Sequence, residues 1–134
     1  MTAEEMYQEF ILDLYRNPSN KGALENPQIK ARDVNHSCGD IIEIHANVNG
    51  SSIKDIKFSG KGCAISQAST ELLVESVKNK HLEEIKNITK EQVLEMLGIP
   101  ISAFRLKCAL LGLKVLKLGV YNYLGEKLED DNLS

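Results

Sequence analysis

The stretch from Asp40 to Phe58 constrains the fold more than any other part of the chain. Ile42, Ile44, Ala46 and Val48 fall on one face and Glu43, His45 and Asn47 on the other, the two-residue period of a half-buried strand. Asn49-Gly50 follows, a pair that tolerates positive φ and favours a tight turn. Ile53 to Phe58 then reads as the returning strand of a β-hairpin, and Ile29 to Asn35 offers a further short strand ahead of it.

Helical periods surround this hairpin. Met6, Tyr7, Phe10, Ile11 and Leu14 repeat at helical spacing within Ala3 to Tyr15 and are expected to pack against the domain. That helix should stop before Pro18, because the residue preceding a proline is driven out of the helical region. Ser59-Gly60-Lys61-Gly62 reads as a flexible loop, followed by a helix over Ser66 to Val77. His81 to Ile85 and Thr89 to Leu97 read as short helices, the second opened by a Thr89/Gln92 capping box and closed by Gly98. Ala103 to Val120 is a long apolar-rich helix. Helix, antiparallel strands, then helices make an α+β domain with helices on one face of a small sheet. Residues 1–125 are expected to form one domain and 126–134 an acidic, frayed tail.

Sixteen basic residues against nineteen acidic give a net charge of −3, which argues against nucleic acid as a bulk-charge partner. No apolar run approaches the ~20 residues of a membrane span. The N-terminus lacks the basic and apolar parts of a signal peptide, so a cytoplasmic protein without membrane association is expected. There a disulfide framework is disfavoured, and an odd number of cysteines, three, could not close one.

Each cysteine nevertheless sits at a junction. Cys38 stands at a strand start in Ser37-Cys38-Gly39-Asp40, Cys63 between strand and helix in Gly60-Lys61-Gly62-Cys63, and Cys108 early in the last helix in Arg105-Leu106-Lys107-Cys108. A fold can gather such positions at one end of a sheet. Gly39 and Gly62 permit close backbone approach. Arg105, Lys107 and a helix N-terminus would favour thiolate. Asp40, two residues past Cys38 along an extended strand, would face the same side and complete a tetrahedral site. Buried, inert thiols are the competing reading of the same residues.

These motifs, with Asp13-Leu14-Tyr15-Arg16-Asn17-Pro18-Ser19-Asn20-Lys21-Gly22 and Cys63-Ala64-Ile65-Ser66-Gln67-Ala68-Ser69, resemble the IscU/SufU/NifU N-terminal domain family of iron–sulfur cluster assembly proteins. The resemblance runs from about residue 3 to 120. It implies a three-stranded antiparallel sheet with the cysteines converging at one tip. It also implies sulfur delivery by a pyridoxal-phosphate cysteine desulfurase and downstream carriers or apo-proteins as recipients. Cys38, Asp40, Cys63 and Cys108 would hold iron, a [2Fe-2S] cluster or Zn²⁺, with Cys38 or Cys108 as persulfide acceptor and Lys107 and Arg105 as electrostatic support. Lys107 and Arg105 follow the SufU pattern, in which a zinc-dependent sulfurtransferase passes sulfur on without holding a cluster. The short connection between the second and third cysteines follows IscU. Leu97-Gly98-Ile99-Pro100-Ile101 replaces the chaperone-recognition stretch of IscU. Whether the chain is an enzyme depends on the branch, and the oligomeric state stays open.

A structural zinc module is the rival from another class; Asp40 and Gly39 argue against it. No Ser/His/Asp or paired-carboxylate motif suggests a hydrolase. His36 reads as a solvent-facing loop residue, and His45 and His81 as structural or solvated. Lys107, Lys114 and Lys117 share an arc of the last helix that could meet an acidic partner or simply be solvated.

Overall fold

A computed structural model describes residues 2–128; of the expected tail, 129–134 lie outside the described residues. Helix α1 (Ala3–Arg16) is followed by strands β1 (Ile29–Asn35), β2 (Asp40–Asn49) and β3 (Ser52–Lys61). Helices α2 (Ala64–Ser76), α3 (Leu82–Lys86) and α4 (Lys90–Leu97) come next, then a 3₁₀ turn over Ala103–Arg105 and α5 (Leu106–Leu124). The strands form one antiparallel sheet in the order β1-β2-β3. No described helix is long and apolar enough to cross a membrane.

The alternation in β2 sets the register. Ile42, Ile44 and Ala46 are buried on the helix-covered face and stand opposite Gly60, Phe58 and Ile56 of β3. A register shift at Asn47/Val48 pairs Val48 with Ile53. The extra residue, Lys54, keeps Ile53 and Ile56 on one face despite their spacing, which is what a β-bulge does. The turn lies one position later than the sequence indicates. Asn49 pairs with Ser52, so Gly50 and Ser51 make the bend and only Gly50, at φ 65°, takes positive φ there.

Two other readings change. Ser59 to Lys61 is strand, not flexible loop; a Cβ on Gly60 would come within 2.8 Å of the Ile41 carbonyl carbon, so glycine is what lets β3 continue. Among the described side chains of α1 only Ile11 is buried; Leu14 packs beside its cluster and the Tyr7 ring lies against Gly98, while Met6 and Phe10 are exposed, so the expected packing of that stripe is partial. The lysine arc on α5 is likewise broken: Lys117 is buried, and burial lowers its pKa.

The connector between α1 and β1 closes the far side of the sheet. Gly22 N–H donates to the Phe58 carbonyl at 2.7 Å and Phe58 N–H to the Asn20 carbonyl at 3.0 Å, covering the edge of β3. Leu24 N–H donates to His45 Nδ1, and His45 Nε2 lies 2.7 Å from Glu43 Oε2. His45 is therefore structural and buried, although it is on the polar face. His81 caps the start of α3 against Ser51 and Ser52, and His36 is exposed as expected. Glu126, the first residue of the expected tail, pairs with Lys86 at 2.7 Å.

Asn20 anchors the connector. Its backbone N–H and its Nδ2 each donate to the buried Glu71 carboxylate at 2.9 Å, and Nδ2 also donates to Glu75. An unsatisfied buried acceptor costs roughly 1–3 kcal/mol. Asn20→Ala should lower the stability read from urea denaturation by about that amount; an unchanged midpoint would show that Glu71 finds other donors.

Candidate metal centre

Three segments meet at the tip of the sheet where β1 hands over to β2. Asn35 and Asp40 are register partners, and His36 to Gly39 form the turn between them. Cys38 thus lies in a tight turn, not at a strand start as expected. That turn still delivers it beside Asp40. Cys63 is the N-cap of α2, and Cys108 is the third residue of α5.

Asp40 is fully buried, so its carboxylate must be matched by donors. Oδ1 accepts from Cys63 N–H at 2.9 Å and from Ser66 Oγ at 3.3 Å. Oδ2 accepts from Asn35 Nδ2 at 3.4 Å. The start of α2 therefore grips one oxygen, with the helix dipole in its favour, while the Asn35 amide that meets the other also reaches Cys108 Sγ. Gly62 makes this possible: at φ 149°, it passes so close that a Cβ would fall 2.9 Å from Asp40 Cα.

A donor atom from each of Cys38, Asp40 and Cys108 lies within 4.8 Å of the others. The Cys108 thiol donates to Cys38 Sγ at 3.0 Å, and Asn35 Nδ2 reaches Cys108 Sγ at 3.6 Å. Two sulfurs and a carboxylate oxygen suit zinc or iron, so the residues present fit such an ion. Cys63 stands outside this triad. Its sulfur is the neighbour that most raises the pKa of the Arg105 guanidinium.

The expected thiolate-promoting role of the flanking cations is not what the geometry gives Cys108. Burial pushes its thiol well above the usual range, and hydrogen bonds with Cys38 and Asp40 and the nearby Cys63 push it further. Arg105 is engaged with Cys63 and lies over the Phe104 ring at 6.0 Å; it does not pair with Asp40 among the described residues. Lys107 is exposed and lines a groove on the other side. Neighbours along a helix point about 100° apart, so adjacency to Cys108 in sequence does not carry over to space. Ser66 and Asn35 went unnoticed. The only signals were a hydroxyl three residues after the N-cap and an amide flanking a turn with the acid.

Comparison with known proteins gives a consistent set of relatives. The family described as NifU-like N terminal domain matches residues 6–130. The chain is 31% identical to the zinc-dependent sulfurtransferase SufU of Bacillus subtilis, over 87% of this chain and 90% of that one. It is 30% identical to the iron-sulfur cluster assembly scaffold protein IscU 1 of Archaeoglobus fulgidus, over 96% of this chain and 83% of that one. Among solved structures, a putative iron-sulfur cluster assembly scaffold protein for the SUF system from Fervidobacterium islandicum superposes with a TM-score of 0.74 at 29% identity. It covers 89% of this chain and 99% of that one.

Ser66 orients a carboxylate rather than touching the thiols. Removing such a supporting donor commonly weakens metal affinity 10–100-fold. Ser66→Ala should lower zinc affinity about tenfold in a chelator competition while leaving the thermal midpoint nearly unchanged. Equal affinities would mean that Cys63 N–H and Asn35 hold Asp40 in place without Ser66.

Proposed function

The chain belongs to the NifU-like N-terminal domain family, and from that premise we propose that it is an iron–sulfur cluster assembly protein that receives sulfur from a cysteine desulfurase. The observation that carries this reading is the convergence of Cys38, Asp40 and Cys108 within 4.8 Å. In it, Cys63 joins them as the fourth ligand of the cargo cluster, after leaving Arg105.

Asp40 is the weak point of that ligand set. A carboxylate holds iron less firmly than a thiolate, and here Oδ1 is already engaged by Cys63 N–H and Ser66. Sulfur arrives by exchange: a thiolate on this chain attacks the outer sulfur of the desulfurase persulfide, forming a new persulfide and releasing the desulfurase thiolate. Cys38, half-exposed in its turn, is reachable for that attack, whereas Cys108 is buried. Cys38 is accordingly the first acceptor, and Cys108, in contact with it, the next holder of sulfur.

A second reading, zinc-dependent sulfur transfer without a held cluster, draws support from the Arg105–Cys63 contact and from the SufU relative. Zinc would then be held by the same four residues and would keep the thiols deprotonated until the desulfurase docks. Anaerobic incubation with ferrous iron, cysteine, a cysteine desulfurase and dithiothreitol, the thiol that reduces persulfide sulfur to sulfide, separates the two. The expected result is bound iron and sulfide with visible absorption, lost in Cys108→Ala. Replacing the weakest ligand by a thiolate, in Asp40→Cys, should make release of the cluster to an apo-acceptor several-fold slower. Absence of bound iron and sulfide, with strong stimulation of desulfurase turnover by the zinc-loaded protein, would establish the transfer reading instead.

A further inference from the structure

Beside the centre lies a groove of about 550 Å³ between the end of β1, the first turn of α4 and the first half of α5. Its apolar lining comes from Val34, Leu106, Leu110 and Leu111. Four further lining residues are His36, Lys90, Lys107 and Lys114. No acidic residue lines it, although the chain as a whole carries a net charge of −3. Asp33 offsets Lys114 through a 2.7 Å ion pair. Lys90 and Lys107 are exposed and make no ion pair among the described residues. An apolar trough edged by lysines is complementary to one kind of occupant: a peptide segment that alternates carboxylates with leucine-like side chains.

We propose that this groove docks an acidic, leucine-bearing segment of a partner protein. Its position gives the docking a purpose. Asn35 and Ser37 line the groove, and Cys38 follows them directly in the same turn. Asn35 also donates to Asp40 Oδ2 and Cys108 Sγ. A segment seated here touches the residue that braces the donor cluster, so a partner is held where cargo or sulfur changes hands. The surface is independent of which of the two transfer chemistries the centre performs. A small acidic metabolite would satisfy the lysines but leave the leucines uncovered, which is why a peptide is the better match.

The test is a titration of the full-length protein with a fluorescein-labelled synthetic peptide of repeated Glu-Glu-Leu units, read by anisotropy and by amide chemical shifts. Lys90→Glu is the informative variant. Lys90 is exposed at the first position of α4, where an acid suits the helix dipole, so the fold is retained. The expected result is binding that weakens with salt and at least tenfold in Lys90→Glu. Shifts should concentrate in residues 34–37 and 106–114, and a Gln-Gln-Leu control peptide should bind more weakly by a similar factor. Equal binding to Lys90→Glu, or shifts centred on α1 instead, would overturn the proposal. So would self-association that perturbs the groove without peptide, which would give the surface to a second copy of this chain. Glutamate alone producing the same shifts at the same concentration would assign the groove to a small anion.

Discussion

The buried carboxylate of Asp40 holds the tip of this protein together. A carboxylate without solvent is costly unless donors replace the lost water, and here they come from two separate elements. Cys63 N–H and Ser66 Oγ belong to the start of α2, and Asn35 Nδ2 to the end of β1. Asp40 itself opens β2. One side chain thereby fixes strand, turn and helix start relative to each other, and the cysteines are carried into position by those elements. Gly62 belongs to the same arrangement, since any Cβ there would push the helix start away from the acid.

Much of this was legible where the physics is local. The alternation of β2, the Thr89/Gln92 capping box and the Gly98 stop all appear where the sequence places them. The hairpin turn lies one residue later than the Asn49-Gly50 signal, and beyond it the bulge at Lys54 changes which residues face one another; no local pattern announces a bulge. The extent of β3 was missed for a related reason. Gly60 in isolation signals a loop, but across from Ile41 and Ile42 it is the residue that permits pairing.

The centre was legible in its parts and not in its connections. Junction positions and motif resemblance picked out Cys38, Asp40, Cys63 and Cys108, and three of these supply atoms to one cluster. Arg105 and Lys107 were grouped with Cys108 because they are its neighbours in sequence. In space Arg105 interacts first with Cys63 and more weakly with Cys108 and Cys38, and Lys107 is left on the groove. Burial then dominates at Cys108 and raises its thiol, the opposite of what two adjacent cations suggest. His45 carries the same lesson on the other side of the sheet. Its alternation was right, but the connector that covers it is more than twenty residues away in sequence, with Leu24 as its donor.

The three thiols differ in a way that bears on a site meant to pass something on. Cys108 is buried, while Cys38 and Cys63 are half-exposed, one in a turn and one at a helix cap. Both half-exposed thiols can be reached from outside, whereas Asp40 is buried and clamped through Oδ1 to the helix start that carries Cys63. A centre built this way does not need a mobile carboxylate to let its cargo go. Under the proposed reading the carboxylate stays put, its bond to the metal is intrinsically the weakest of the set, and the accessible thiols are the ones free to follow an incoming partner. Release then depends on ligand chemistry at one oxygen and on contact at two exposed sulfurs. The buried Asp40 clamp and the accessible Cys38 thiol in its turn are therefore complementary parts of one device.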